Sequence, residues 1–319
     1  MGRVPEGDTV RRSAGRLHQA LAGRELTRTE LRWPSLGQID LTGRTVTEVV
    51  AYGKHILARM APTATGGEAL TLHSHLRMDG SWRVHATGSQ PWPSADRFPV
   101  RAVLENAGWT AIGVWLGELD LLPTSAESSL IGHLGPDILA ADFADPATAW
   151  GVTEALRRIA AHPAELIGAA LLDQRNLAGV GTFYMSEALF AAGISPWRPV
   201  SEVPNVAAVI DRARRMLTAN LDRATPTTTG DLRPGNRQWV HARSGQPCRR
   251  CRTSIRVASI EVHHRSPGQT AALDRTAFYC PNCQPGLVPT DNGRLQKPLG
   301  TAVERGKREG AKPAEYRRK

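Results

Sequence analysis

The four cysteines constrain this chain more than any other feature. They fall into two pairs, Cys248-Arg249-Arg250-Cys251 and Cys280-Pro281-Asn282-Cys283, with none left over. Each C-x-x-C turn brings two sulfurs to one point, and two such turns make a tetrahedral four-thiolate site for one structural Zn2+. A disulfide framework does not suit a reducing compartment, and a redox C-x-x-C needs only one pair. With four protein ligands no coordination position is open, so the metal cannot activate water. Its expected role is to stabilise a small hairpin that has almost no core of its own. The 28 residues between the pairs exceed the roughly 15 to 20 common in such ribbons. His263 and His264 lie in that surplus and read as residues of a surface excursion rather than as ligands. Arg275 stands five residues before Cys280, on the returning strand, where its guanidinium can either meet a phosphate or stay in solvent.

A length of 319 residues implies two or three domains. There is no run of about 18 apolar residues and no signal-peptide pattern, so a cytoplasmic protein with no membrane partner is expected. The net charge of +10 favours a polyanionic partner. Nine Lys/Arg against four Asp/Glu between Gln284 and Lys319 place half of that excess in the tail; the other half lies on the folded part.

Residues Asp8 to Ala22 read as a helix, with Val10, Ala14, Leu17 and Leu21 on one face and Asp8 or Thr9 as cap. From Glu25 to about Leu122 short alternating runs take over, among them Thr45–Val50, His55–Met60, Leu70–His75, Trp82–His85 and Val100–Leu104, which predict an antiparallel sandwich or barrel-like domain. Helical periodicity returns over Val152–Ala161, Ala164–Leu172, Phe183–Ala192 and Val206–Leu221. The expected fold class is α+β multidomain: a β-sandwich over 5–125, a linker over 126–150, a helical domain over 151–235, the cysteine module over 236–284, and a disordered basic tail over 285–319.

Two short motifs carry possible chemistry. In Leu171-Leu172-Asp173-Gln174-Arg175-Asn176-Leu177-Ala178-Gly179-Val180-Gly181-Thr182-Phe183-Tyr184, the two glycines permit left-handed backbone and close approach. The amides opening the next helix form an anion site suited to phosphate, although a lone G-x-G is ordinarily just a helix connection. Near the start stands Pro5-Glu6-Gly7-Asp8. An internal proline nitrogen is a tertiary amide and no nucleophile. At a free terminus it is a secondary amine, and a terminal α-amine with a pKa of about 8 can attack a sugar carbon. Val4 precedes it, and a valine codon can initiate translation as a methionine that is then trimmed. The expectation is therefore that Met1, Gly2 and Arg3 lie ahead of the true start.

Taken together, Pro5-Glu6, the Gly53-Lys54 turn, Ser74-His75-Leu76-Arg77-Met78-Asp79-Gly80, the Gly179/Gly181 hairpin and the Arg275-x4-Cys-x2-Cys ending resemble the formamidopyrimidine-DNA glycosylase and endonuclease VIII family. The resemblance runs from Pro5 to Gln284. It implies a β-sandwich, a helix-two-turn-helix domain and a zinc-finger hairpin, with damaged DNA, duplex or single-stranded, in the cleft between them and the protein acting as a monomer at the bacterial nucleoid. The damaged nucleotide is turned out of the stack. Pro5 would attack C1′ and Glu6 would protonate the ring oxygen, giving a Schiff base followed by β,δ-elimination. Lys54 would hold phosphate near the lesion, and Arg77 and Met78 would fill the hole left by the extruded base. Gly179, Gly181, Thr182 and Arg275 would contact DNA, and Glu187 would support the site electrostatically.

Some residues depart from the family pattern. Asp8-Thr9 stands where many members have a glutamate, and Thr182 where they have asparagine. The Arg-Arg-Phe wedge of the purine-selective branch is missing from Gly108-Trp109-Thr110-Ala111-Ile112-Gly113-Val114-Trp115, which favours the endonuclease VIII branch and oxidised pyrimidines. The alternatives are a purine-lesion glycosylase and a DNA-binding member that has lost catalysis.

Overall fold

The computed structural model describes residues 4–64, 66–94, 99–262 and 273–286. Met1–Arg3, His263, His264 and the tail beyond residue 286 lie outside them.

Helix α1 (Gly7–Leu21) buries Val10, Ala14, Leu17 and Leu21 along one stripe, the periodicity that marks a helix lying on a core. That stripe closes one side of a sandwich of two antiparallel sheets. The larger sheet holds β1 (Arg24–Glu25), β3 (Thr45–Tyr52), β4 (His55–Met60), β5 (Leu70–His75) and β9 (Glu118–Pro123), in the order β1-β3-β4-β5-β9. In the smaller, β2 (Arg28–Leu31), β7 (Val100–Glu105), β8 (Trp109–Val114) and β6 (Ser81–Ala86) run in the order β2-β7-β8-β6. Val46, Val49, Ile56, Leu72, Ala102, Leu104 and Leu119 share one core with α1, as expected when alternate residues of two facing sheets point inward.

The chain then passes through a single turn of helix, α2 (Ser128–Ile131), to a helical region built from α3 (Val152–Ala160), α4 (Ile167–Leu172), α5 (Thr182–Ala192) and α6 (Val206–Thr218). The α4 helix begins three residues later than its periodicity predicts, because the Ile167 N–H is taken by Arg198 O and the Gly168 N–H by Pro196 O. Helix α5 is buried on every face from Phe183 to Phe190, so it forms the centre of this region.

Strands β10 (Arg256–Val262) and β11 (Leu273–Tyr279) pair in antiparallel register, Ile260 opposite Arg275. This hairpin borrows its core from its neighbours. Ala258, Ile260 and Tyr279 join the helical core, while Val257 and Phe278 pack with Phe190, Val240 and the buried cysteines. Gln284 clamps the end, accepting from Cys280 N–H and donating to Ile194 O.

Candidate active site

Three glycines from distant parts of the chain meet where α1, the β3–β4 turn and the α4–α5 linker converge. The Gly7 N–H donates to Gly179 O at 2.9 Å, and a Cβ on Gly7 would stand 3.1 Å from that oxygen. Gly53, in left-handed backbone (φ +57°), passes so close to the linker that a Cβ would lie 2.8 Å from Ala178 Cβ. Gly179 is also left-handed (φ +104°), a conformation that favours glycine. Because backbone touches backbone here, the residues next to these glycines are delivered to one place: Glu6, Lys54, and the amino end of α5.

The buried Glu6 carboxylate accepts from the N–H groups of Gly181 (2.9 Å), Phe183 (2.8 Å) and Tyr184 (3.4 Å). A helix amino terminus is an anion site, and in this chain the anion seated there is Glu6. The sequence pattern pointed to a phosphate at these amides; the structure puts a side chain of the protein there. Gly181 has no alternative, since a Cβ would sit 2.5 Å from Glu6 Cδ. Thr182, the first residue of α5, is half-buried beside this contact. Asp8, also buried, accepts from the Tyr184 hydroxyl at 2.9 Å, which accounts for an acid at that place in α1.

Pro5 is buried against the same junction and Val4, exposed, precedes it. The half-buried Lys54 donates through Nζ to Val180 O at 2.7 Å. Burial draws its ammonium group down to about 8, the Glu6 carboxylate works against that, and the Arg275 guanidinium adds to it. Arg275 is exposed on β11, so the cysteine hairpin faces the same cleft as the Lys54 turn. Beneath the turn, His55 Nδ1 lies 2.8 Å from His73 Nε2, and His73 Nδ1 lies 2.9 Å from Asp120. Burial, then the charges around them, lowers His55 to about 2 and His75 to about 3, so both imidazoles are neutral near pH 7 and leave Lys54 as the cation of the turn.

Arg77 and Met78 stand apart from this junction, on the tight loop between β5 and β6 closed by Gly80 N–H to Leu76 O. Arg77 has left-handed backbone (φ +52°) and pairs with Glu118, while Met78 is 56% exposed. The loop after β8 stacks on the Arg77 stem, where Gly117 leaves no room for a side chain. Two residues before that glycine is Trp115, 53% exposed and also left-handed at φ +53°. The motif reading passed over it, although an aromatic residue just after a strand's last apolar position was there to be noticed.

Sequence reasoning also missed Gln174 and Asp137. Gln174 donates to Leu172 O and Val180 O and accepts from Gly179 N–H, holding the linker's shape. Asp137 is buried, accepts from the amides of Leu139 and Gly53, and is pushed upward by desolvation. Glu187 sits elsewhere. Its carboxylate, wholly buried and pushed upward by that burial, accepts from the amides of Trp239, Val240 and His241 and from the Thr228 hydroxyl. Those bonds tie α5 to the chain entering the cysteine module and do not run to Glu6 or Lys54.

The four sulfurs of Cys248, Cys251, Cys280 and Cys283 lie within 4.8 Å of one another and can hold a metal ion. The pairs Cys251–Cys280 and Cys248–Cys283 stand at 3.4 and 3.9 Å. Tetrahedral thiolates with metal–sulfur bonds of about 2.3 Å sit about 3.8 Å apart, so the donor set fits such an ion.

A sandwich, a helical region with its linker at the sandwich's edge, and a cysteine-closed hairpin facing one cleft define the formamidopyrimidine-DNA glycosylase type of fold. Residues 4–111 match the formamidopyrimidine-DNA glycosylase N-terminal domain and residues 134–230 the H2TH domain of the same enzymes. The chain is 46% identical to a probable endonuclease 8 2 of Streptomyces coelicolor, over 91% of this chain and 98% of that protein. It is 39% identical to the DNA-(apurinic or apyrimidinic site) lyase Nei2 of Mycolicibacterium smegmatis, over 88% and 99%. The Lactococcus lactis enzyme in complex with DNA containing an N7-benzyl-Fapy-dG superposes with a TM-score of 0.67 at 22% identity, over 88% of this chain and all of that one. The chain belongs to the formamidopyrimidine-DNA glycosylase/endonuclease 8 family. Among the described residues no helix is long and apolar enough to cross a membrane.

Proposed function

We propose that this protein is a bifunctional DNA glycosylase and AP lyase of base-excision repair that removes oxidised pyrimidines from damaged DNA. The single observation that carries the chemistry is the Glu6 carboxylate fixed by the amides of Gly181, Phe183 and Tyr184 at the residue next to Pro5 and in the electrostatic reach of Lys54. Relatives named endonuclease 8 and AP lyase support the activity.

With Pro5 as a free terminus, its nitrogen lone pair forms a bond to C1′ of the flipped nucleotide as the C1′–base bond breaks and the base leaves with those electrons. The Pro5 N–H proton passes to the Glu6 carboxylate, which delivers it to the sugar ring oxygen as the C1′–ring-oxygen bond breaks, opening the ring to an iminium. Loss of a C2′ proton then expels the 3′ phosphate, and a second elimination expels the 5′ phosphate. Lys54 holds charge near that phosphate. Met78 and Arg77 occupy the vacated stack, with Trp115 beside them in the stretch where the purine branch has its Arg-Arg-Phe wedge. That replacement supports the pyrimidine preference. Zn2+ is the ion we assign to the four cysteines, where it would hold the hairpin that presents Arg275.

The start of the chain separates enzyme from binder, because Val4 acylates Pro5 wherever it is retained. Active protein from the native host should begin at Pro5 by intact mass and be trapped by borohydride on abasic DNA. Glu6→Gln should lose base excision with DNA affinity within about twofold of the parent. Unchanged excision in that variant would refute the assigned role, and an intact residue ahead of Pro5 in active protein would refute the covalent step. Thymine glycol and 8-oxoguanine duplexes compared side by side test the lesion preference, faster release of 8-oxoguanine being the contrary result.

A further inference from the structure

Away from the cleft, a groove of about 450 Å3 runs between α1 and β6. Arg16 and Gln19 line one wall, Trp82, Arg83 and Val84 the other, and Trp109 closes one end. Its volume suits one or two side chains. The floor is aromatic: Trp82 is half-buried with its indole N–H spent on Ser74 Oγ, and Trp109 is 38% exposed. Arg16 and Arg83 are both exposed, and neither guanidinium has a partner among the described residues. This sets them apart from Arg12, Arg32, Arg59 and Arg158, which are hydrogen-bonded.

The second wall has a further property. Strand β6 ends its sheet, with β8 as its only strand neighbour among the described residues, and three consecutive residues of it line the groove. The other long edge of β6 therefore offers backbone N–H and C=O groups to an incoming chain. Such an edge takes an extended peptide as an added strand, with alternate side chains entering pockets. Nucleic acid has no backbone complementary to that row. The 285–319 segment of this chain does not suit the groove either, since its charges are predominantly positive, as is a second copy at +10.

We infer that the α1–β6 groove docks an extended acidic peptide of a partner protein along the β6 edge, its aromatic side chains on the α1-facing side with Trp82 and Trp109 and its carboxylates on Arg16 at the rim and on Arg83 across the strand. Tryptophan and arginine are the residues that concentrate binding energy at such interfaces. Arg16 lies ten residues beyond Glu6 on one helix, about 15 Å at 1.5 Å per residue. The groove can therefore be filled while DNA occupies the cleft.

The test uses the full chain and a fluorescein-labelled hexapeptide of alternating aspartate and phenylalanine, with the lysine–phenylalanine peptide as control, read by anisotropy. The acidic peptide should bind at least tenfold more tightly than the basic one. R16E/R83E should weaken it at least tenfold and Trp109→Ala at least fivefold, with thermal unfolding midpoints unchanged. Amide exchange over residues 81–86 should slow on saturation, and a lesion duplex should bind the peptide-loaded protein as well as the free one. Equal affinity for the two peptides, indifference to both variants, or unchanged exchange in β6 would overturn the proposal. Displacement of the peptide by a thymidine dodecamer, with the same loss in R16E/R83E, would assign the groove to single-stranded nucleic acid instead and overturn it equally.

Discussion

The junction at Glu6 and the loop at Met78 are built on opposite principles. At the junction, Gly7, Gly53 and Gly179 let three backbones touch, and the functional groups are buried and hydrogen-bonded to main chain. At the loop the backbone is left-handed at Arg77 and Trp115, and the side chains stand out in solvent. A carboxyl and an amine that must act on a given atom need fixed positions, which packing supplies. A wedge that enters DNA must stay uncovered until DNA arrives, which packing would prevent. The difference teaches where each region fails. The junction has no tolerance for added volume, and the loop has no stability to lose.

The largest effect should come from adding one methyl group to the junction. Gly181→Ala places its Cβ 2.5 Å from Glu6 Cδ and 2.6 Å from Oε1, a clash relieved only by moving the carboxylate off the α5 amides or moving the helix. Overpacking of a tight interior costs about 1 to 3 kcal/mol, and a misplaced catalytic group costs about a hundredfold or more in rate. Excision by this variant should fall at least a hundredfold, measured in single turnover on a lesion duplex, with a lowered unfolding midpoint. A rate within threefold of the parent would mean that the contact between Glu6 and α5 is not what positions the acid.

That junction shows what was legible in the chain beforehand. The sequence reading placed α1, five of the nine sandwich strands, helices α3 to α6 and the cysteine pairs close to where they stand, because each carries a local period or spacing of its own. It picked out Glu6, Lys54, Gly179 and Gly181 from motifs. It did not see that the Gly181 amide serves Glu6 rather than phosphate, since a contact across 175 residues leaves no local trace. Asp137 and Gln174 were invisible for the same reason: one buried acid and one amide among many, defined only by the backbone groups they meet. Glu187 was given an electrostatic role at the site because its neighbours in sequence suggested one, whereas its partners come from residues 228 and 239–241.

The loop should respond the other way. Met78→Ala and Trp115→Ala remove side chains that are more than half exposed, so the unfolding midpoint should stay within about a degree of the parent. Affinity for an abasic duplex should fall about tenfold for Met78→Ala and about fivefold for Trp115→Ala, in keeping with stacking contributions of about 1 to 3 kcal/mol per base. Loss of stability in either variant would break the contrast with the junction, since it would show the loop to be packed rather than poised.

The smallest effect sharpens the contrast within a single residue. Lys54 belongs to the junction by burial and to the DNA by charge, and its ammonium is lowered from 10.5 to about 8. Between those values the unfolded chain holds a proton that the folded chain has given up, so stability contributed by this group rises with pH across that window. DNA binding runs the opposite way. If a phosphate needs the charged amine, binding above pH 8 must take up a proton, and affinity for abasic duplex should be flat below that pH and about fourfold weaker at pH 8.5. Lys54→Gln should bind more weakly at neutral pH and show no such fall. A wild-type protein whose affinity is level from pH 7 to 9 while Lys54→Gln is weakened throughout would place the lysine's contribution in its hydrogen bond to Val180 rather than in its charge.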